Sequence, residues 1–312
     1  MILLEKLLKG LDVRVDTFDL CRVAPGAPLA LEALGQPTVH YVVSGAGRLD
    51  VAAAAPLAFK RHSFVIVPAG RSLRVEAAGA AEAGRISRCG SLAEAWGESP
   101  PAPALEVVMA CGRIDATYHQ AAGLFDHLTE PLIDDFACQD GICRPFETLL
   151  GELAAPRPGS MALADSLMQQ CLVLLLRRYC ASGECRLPWL SALEDPRLGR
   201  AMAAMLEDPA RDFSLEALAE IAGMSRSAFA AHFAEAFGRA PIDFLKGLRL
   251  QRAAELLSGT DLPVKQVAPK VGYASRSYFS RAFKSLYGLD PAAYRRQARG
   301  GDAGSEASGT RG

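Results

Sequence analysis

Two Ser-Arg-Ser triplets lie 50 residues apart, at Ser225-Arg226-Ser227 and Ser275-Arg276-Ser277. Each opens a stretch with the same onward pattern. Ser225–Pro241 carries Phe229, Phe233, Phe237, Gly238 and Pro241; Ser275–Pro291 carries Phe279, Phe283, Tyr287, Gly288 and Pro291. A serine hydroxyl at the head of a helix accepts from a free first-turn N–H, so each triplet reads as a helix start. Aromatic rings every four residues make one apolar stripe, and Gly then Pro ends the helix. The opposite face holds Arg226, Ser227, Ala230 and Ala231 in one copy and Arg276, Ser277, Ser280 and Arg281 in the other. A second helix with such a face, following a tight turn, is of the kind that enters a DNA major groove.

The elements that must hold these faces can be read on either side. A shorter helical pattern ending in Gly223 (Ser214–Met224) precedes the first copy, and one ending in Gly272 (Pro263–Ala274) precedes the second. Helix, glycine turn, helix is the helix-turn-helix arrangement, here duplicated. Two hairpins that merely pack together would also satisfy the apolar stripes. The repeated chemistry of the outer faces favours the groove-binding alternative. Pro269 falls inside the short helix of the second unit and predicts a kink or an early end just before Gly272.

With 312 residues, half of them hydrophobic and 22% charged, the chain has the size and composition of a globular protein of two domains. The net charge of −1 conceals an asymmetry. Residues 1–194 hold 17 Lys and Arg against 22 Asp and Glu, whereas residues 195–297 hold 15 against 11. A basic C-terminal part suits nucleic-acid contact. No apolar run is long enough to span a bilayer, and the N-terminus lacks a signal-peptide layout, so no membrane association and a cytoplasmic location are expected.

Residues 13 to about 90 read as β structure, with Val39–Val43 and Phe64–Val67 as strands closed by Gly and Pro turns. Leu105–Cys111 reads as a last strand. Helical spacing then appears over Ala122–Leu128, Pro145–Leu153 and Met161–Cys180. In the last of these Leu163, Leu167, Cys171, Leu174 and Leu175 would form one stripe, either core or the seam of a dimer. The expected organisation is a domain over 1–186, a linker at 187–194, a helical domain over 195–297 and a disordered tail at 298–312.

Residues 195–297 resemble the DNA-binding domain of AraC/XylS-type bacterial transcription regulators. The resemblance is carried by Val271–Lys284 with Gly288, Pro291 and Tyr294-Arg295, and by Ile242–Leu257 as the helix joining two helix-turn-helix units. His40–Gly47 and Val67–Gly70 are similar to turns of a cupin-type sensor domain. The fold expected is therefore α+β: an N-terminal antiparallel β-barrel of cupin type with a helical extension, then an all-α domain of two helix-turn-helix units. The resemblance implies binding to double-stranded DNA in successive major grooves, with Arg276 and Arg281 reading base edges and Arg226 as their counterpart. Ser225 and Ser275 would meet phosphate, with Lys246, Arg249, Lys265 and Lys284 as further candidates. Ala230 and Ala231 offer only methyl contact. It also implies a homodimer, an activator working with RNA polymerase, and a small effector in the N-terminal domain.

For that effector pocket the candidates are His40, Tyr41 and Arg71, with Arg48 and Arg74 suited to an anion if they point inward. No catalytic residue, metal or cofactor is expected. A cupin metal enzyme needs several converging His and a Glu, but Val42 and Leu73 stand where partners of His40 would lie; His62 is a lone addition. All eight cysteines fall in the N-terminal part and should be reduced in a cytoplasmic protein. Cys21 and Cys89 sit beside arginines and Cys111 near Arg113, which lowers a thiol pKa. These three are candidates for redox sensing, the alternative to an organic effector.

Overall fold

The computed structural model describes residue 5 and residues 8–300, apart from 82–84, 97–105, 119–121, 126–127, 137–140, 183–186, 188, 191 and 193–194. The expected tail beyond residue 300, Cys138, Cys185 and much of the expected linker lie outside the described residues. Two compact units result. One comprises 11–117 and 123–191; the other comprises 192–312 with 1–10 and 118–122.

The first unit is built on two sheets. Its strands are β1 (Leu11–Val23), β2 (Leu29–Leu31), β3 (Thr38–Ser44), β4 (Gly47–Val51), β5 (Leu57–Phe59), β6 (Ser63–Val67), β7 (Leu73–Ala77), β8 (Arg88–Ser91), β9 (Val107–Tyr118), β10 (Ala122–Gly123) and β11 (Leu132–Asp135). One sheet runs β11-β6-β3-β9-β1-β8, with β10 on β9; the other runs β2-β7-β4-β5. Pairings such as β3 with β6, β1 with β8 and β4 with β7 are antiparallel. The sheets are open layers and do not close into a barrel. Cys21, Val42, Val65, Val67 and Met109 from the first sheet and Leu49, Val51, Phe59 and Val75 from the second make one buried core. Gly47 permits the close approach of β4 to its neighbour β7 within the small sheet, because a Cβ there would lie 2.0 Å from the Glu76 carbonyl.

Among the described residues, this unit also holds the helices α1 (Leu92–Trp96), α2 (Cys143–Ala154) and α3 (Ser160–Ser182). Phe146 of α2 seals the other face of the large sheet, stacking on Tyr41 at 4.3 Å and meeting Phe64 and Phe18 edge-on at 5.6 and 6.0 Å. The stripe of α3 differs from expectation. Ala164, Met168, Cys171, Leu172, Leu175, Leu176 and Tyr179 are buried, while Leu163 is exposed and Leu167 and Leu174 are half-buried. Apolar residues cover more than half of this helix, so they leave its rotation open. Polar anchors fix it: Asp165 accepts from the Val15 N–H at 2.7 Å and Gln169 donates to the Leu11 carbonyl at 2.9 Å. The helix expected over Ala122–Leu128 is also absent among the described residues. Ala122–Gly123 pair with β9, and the Leu124 N–H donates to the Ala116 carbonyl. An apolar run this short fits either period.

The second unit is helical: α4 (Pro196–Glu207), α5 (Leu215–Ala222), α6 (Arg226–Phe237), α7 (Pro241–Gly259), α8 (Val264–Lys270), α9 (Arg276–Tyr287) and α10 (Pro291–Gly300). Both aromatic stripes are core. In the first, Phe233 lies between Phe229 and Phe237 and meets Phe244 of α7 at 5.6 Å. In the second, Phe283 lies between Phe279 and Tyr287 and meets Tyr294 of α10 at 5.3 Å. The long α7 supplies buried residues along its whole length, from Phe244 to Leu257. Pro269 sits in the last turn of α8, which ends at Lys270 as anticipated.

Candidate nucleic-acid interface and sensor cavity

The second helix of each helix-turn-helix unit, α6 or α9, is set by three local devices. Ser225 accepts from the Ala228 N–H and Ser275 from the Tyr278 N–H, both at 3.3 Å, which caps α6 and α9. Gly238 and Gly288 close the other ends in the left-handed conformation, at φ 69° and 73°. The turn before each helix also needs positive φ: Gly223 at 67° and Gly272 at 82°. At Gly272 there is a second demand, since a Cβ would stand 2.6 Å from the Ala210 carbonyl. The turns are not identical. Two residues separate Gly272 from Ser275, but only Met224 separates Gly223 from Ser225.

Arg226, Ser227 and Ala231 are exposed on α6 with Ala230 half-buried; Arg276, Ser277 and Arg281 are exposed on α9 with Ser280 half-buried. The two faces differ in charge. Arg226 is paired with Glu216 at 3.0 Å, whereas Arg276 and Arg281 have no ion-pair partner among the described residues. Of the further cations, Lys265 and Lys284 are exposed. Lys246 is held charged by its 2.8 Å contact with Asp243 and by the Tyr278 hydroxyl. Arg249 is a structural strut: it donates to the Pro209 and Arg211 carbonyls at 2.7 and 2.8 Å, which ties α7 to the segment before α5. One exposed residue escaped the sequence reading. Tyr278 is 45% exposed in the first turn of α9, where the first copy has Ala228. The mismatch between the two copies at that position was the available signal.

In the sheet unit, a cavity of about 370 Å³ opens on the first sheet. His40, Arg71, Cys89 and Cys111 line it, with Asp19, Glu32 and Arg113 among their neighbours. His40 is buried, and its Nε2 lies 2.8 Å from the Thr38 hydroxyl, while its Nδ1 has no partner. Burial pulls its pKa down to about 4. Tyr41 does not belong to this cavity. Successive side chains of a strand point to opposite faces, so Tyr41 packs on Phe146 and lies 2.7 Å from His62 Nδ1. Arg48 and Arg74 are spent on Asp50 and Glu76 outside it; Arg71 donates to the Ala52 carbonyl at 3.1 Å. Among the described residues no three His, Cys, Asp or Glu side chains are placed to hold a metal ion together.

The cysteines depart most from expectation. Cys21 of β1 and Cys89 of β8 are directly opposed in the ladder and form a disulfide. Their separation of 68 residues hid the pairing until the register was known. Cys111 is a buried free thiol, and its pKa is raised by burial and then by the Asp19 charge, opposite to the lowering its neighbour Arg113 suggested. Cys143 and Cys171 are likewise buried.

Comparison with known proteins defines the class first. A family described as "Helix-turn-helix domain" matches residues 218–297, and one described as "Cupin" matches residues 3–181, more than half of the chain. The chain belongs to the AraC/XylS family of helix-turn-helix transcription regulators, in the branch with an N-terminal cupin domain. It is 39% identical over 148 residues to the RCS-specific HTH-type transcriptional activator RclR of Escherichia coli (strain K12), covering 47% of this chain and 52% of that protein. It is 36% identical over 142 residues to the HTH-type transcriptional regulator AlkR of Acinetobacter baylyi, covering 46% of each. The chain thus spans about half the length of these relatives. A solved structure, the DNA-binding domain of AdpA in complex with a target DNA, is 32% identical, with a TM-score of 0.33, covering 36% of this chain and 99% of that one.

Proposed function

We propose that the chain is a sequence-specific DNA-binding transcription regulator in which α6 and α9 are the reading helices and the cupin unit receives the signal. The observation that carries this is the pair of matched helix faces, each capped by serine and backed by an aromatic stripe, with Arg276 and Arg281 without an ion-pair partner among the described residues. Guanidinium groups held ready in this way suit bidentate contact with guanine O6 and N7. The ion pair of Arg226 and the methyl groups of Ala230 and Ala231 leave the first unit with less polar reading capacity, so base recognition rests more on α9. Homodimerisation, activation through RNA polymerase and a cytoplasmic site of action complete the reading; the E. coli relative is itself named an activator.

Footprinting of the purified chain on the DNA flanking its own gene, across a salt series, tests this. A specific regulator protects two major-groove tracts one helical turn apart, about 10–10.5 bp. Its affinity falls with a log–log salt slope of roughly −0.9 per phosphate contact. Arg281→Ala is expected to cost about 1–3 kcal/mol on that site and to relax preference at one base pair. Diffuse protection, or a variant indistinguishable from the parent on cognate and random DNA, would overturn the assignment.

Two signals fit the cupin unit: a small effector in the His40–Arg71 cavity, or the redox state of cysteines. The Cys21–Cys89 disulfide favours the second. Joining β1 to the edge strand β8 makes the edge of the large sheet differ between oxidised and reduced chains. A comparison of DNA affinity for the chain oxidised and reduced decides it: equal affinity and equal transcription output would remove the cysteines from the mechanism.

A further inference from the structure

The disulfide is buried at one end and open at the other. Cys21 is fully buried in the core between the sheets. Cys89 is exposed and forms part of the cavity wall. A thiolate attacks a disulfide in line with the S–S bond, so access decides which sulfur is hit. Here attack is confined to Cys89, with Cys21 leaving.

The cavity has the size of a small-molecule site, and its polar groups are mixed in sign. Asp19 and Glu32 carry no ion pair among the described residues. Arg71 and Arg113 supply positive charge to the lining, Arg71 through a guanidinium already oriented by the Ala52 carbonyl. Arg113 is partnered by Asp16 and Thr17 and keeps further N–H donors. Deeper in, the buried His40 presents an Nδ1 that no group among the described residues satisfies. A buried polar atom of this kind is costly to the fold unless something bonds it. A neutral imidazole whose Nε2–H donates to Thr38 has an acceptor at Nδ1, which calls for a ligand N–H.

We propose that this cavity binds a zwitterionic low-molecular-weight thiol, an amino-acid or small-peptide thiol with ammonium and carboxylate groups, and that this thiol is the reductant of the Cys21–Cys89 disulfide. The proposal rests on the redox reading above. The ammonium is held by Asp19 and Glu32, a carboxylate by Arg71 and Arg113, and an amide or ammonium N–H by His40 Nδ1. The thiolate attacks Cys89 Sγ; the Cys21–Cys89 bond breaks as a ligand–Cys89 disulfide forms. The Cys21 sulfur leaves as thiolate and takes a proton. A second thiolate attacks the ligand sulfur of the mixed disulfide, releasing Cys89 thiolate and the symmetrical disulfide of the ligand. Two thiols are oxidised and one protein disulfide is reduced.

The test uses the full oxidised chain and three probes: glutathione, cysteamine, which keeps only the ammonium, and uncharged 2-mercaptoethanol. Disulfide loss is followed by acid quench and peptide mass mapping, with rates compared at equal thiolate concentration. Glutathione is expected to react with saturating kinetics and roughly tenfold or more faster than 2-mercaptoethanol, the worth of about one charge-assisted hydrogen bond. The transient adduct is expected on Cys89, and Arg71→Gln or Glu32→Gln is expected to bring the ratio of the glutathione rate to the 2-mercaptoethanol rate most of the way to one. Linear kinetics with equal rates, an adduct on Cys21, or fast reduction only by a dithiol protein overturns the cavity's role and leaves the disulfide reading intact. A chain that forms no Cys21–Cys89 linkage under mild oxidation overturns both.

Discussion

Phe283→Ala is expected to destabilise the C-terminal unit by about 3–5 kcal/mol, the cost of emptying a buried phenylalanine site. Phe283 is fully buried, and its ring lies between Phe279 at 5.7 Å and Tyr287 at 4.5 Å, with Tyr294 at 5.3 Å. Its neighbours cannot easily collapse onto the vacancy. Tyr294 stands on α10, which Arg295 pins to α7 and the segment after it by donating to the Leu257 and Leu262 carbonyls, and Phe279 is itself held under the Ser275 cap. A loss of this size is a large fraction of the about 5–15 kcal/mol that keeps a typical domain folded. The outward face of α9 depends on that stripe for its orientation, so under the proposed function specific DNA binding should fall with stability. Phe283→Leu, which keeps much of the volume, should retain most of both. Urea unfolding followed by helical signal, beside a binding titration, checks this. A Phe283→Ala chain within about 1 kcal/mol of the parent would show that the stripe is not the keystone of the unit.

The helix-turn-helix units could be read from sequence because every determinant of them is local. Caps, stripe and terminating glycine all fall within 17 residues, and the second copy repeats the first. The β unit is different in kind. Strands at Val39–Val43 and Phe64–Val67 announce themselves by β-branched residues, but their neighbours in the sheet do not. The opposition of Cys21 and Cys89 follows from the register of β1 on β8, and register is a tertiary property. Cysteine spacing carries no trace of it. The grouping of His40 with Tyr41 was open to refutation from sequence, since consecutive residues of a strand face opposite ways. The rotation of α3 was not, because leucines surround it and its side is chosen by long-range polar contacts, those of Asp165 and Gln169 to β1 and of Arg178 and Tyr179 to β11. Tyr278 shows a further limit: neither stripe nor cap demands a residue there, so local physics leaves its type free, and its mismatch with Ala228 and its exposure are what mark it.

The buried imidazole of His40 makes the stability of the chain depend on pH in a direction that can be worked out. Its pKa is pulled from an ordinary 6.5 to about 4 by burial alone, so the folded state resists protonation that the unfolded state accepts. Between these values the unfolded chain binds more protons, and stability falls as pH drops. The loss begins near pH 6.5 and amounts to about 3 kcal/mol by pH 4, at 1.36 kcal/mol per pKa unit. Carboxylates titrate over part of the same range, so the contribution must be isolated by difference. His40→Gln keeps a polar side chain of similar reach and cannot titrate. The parent is expected to lose roughly 3 kcal/mol more than this variant between pH 7.5 and pH 4 in urea unfolding, with the two curves parallel above pH 7. Parallel curves throughout would mean that the imidazole takes up its proton as freely in the fold as in water. The consequence reaches the cavity as well. An imidazole held neutral offers an uncharged acceptor at every pH above about 4, so a ligand N–H can be bonded there without a competing positive charge beside the ammonium that Asp19 and Glu32 would hold.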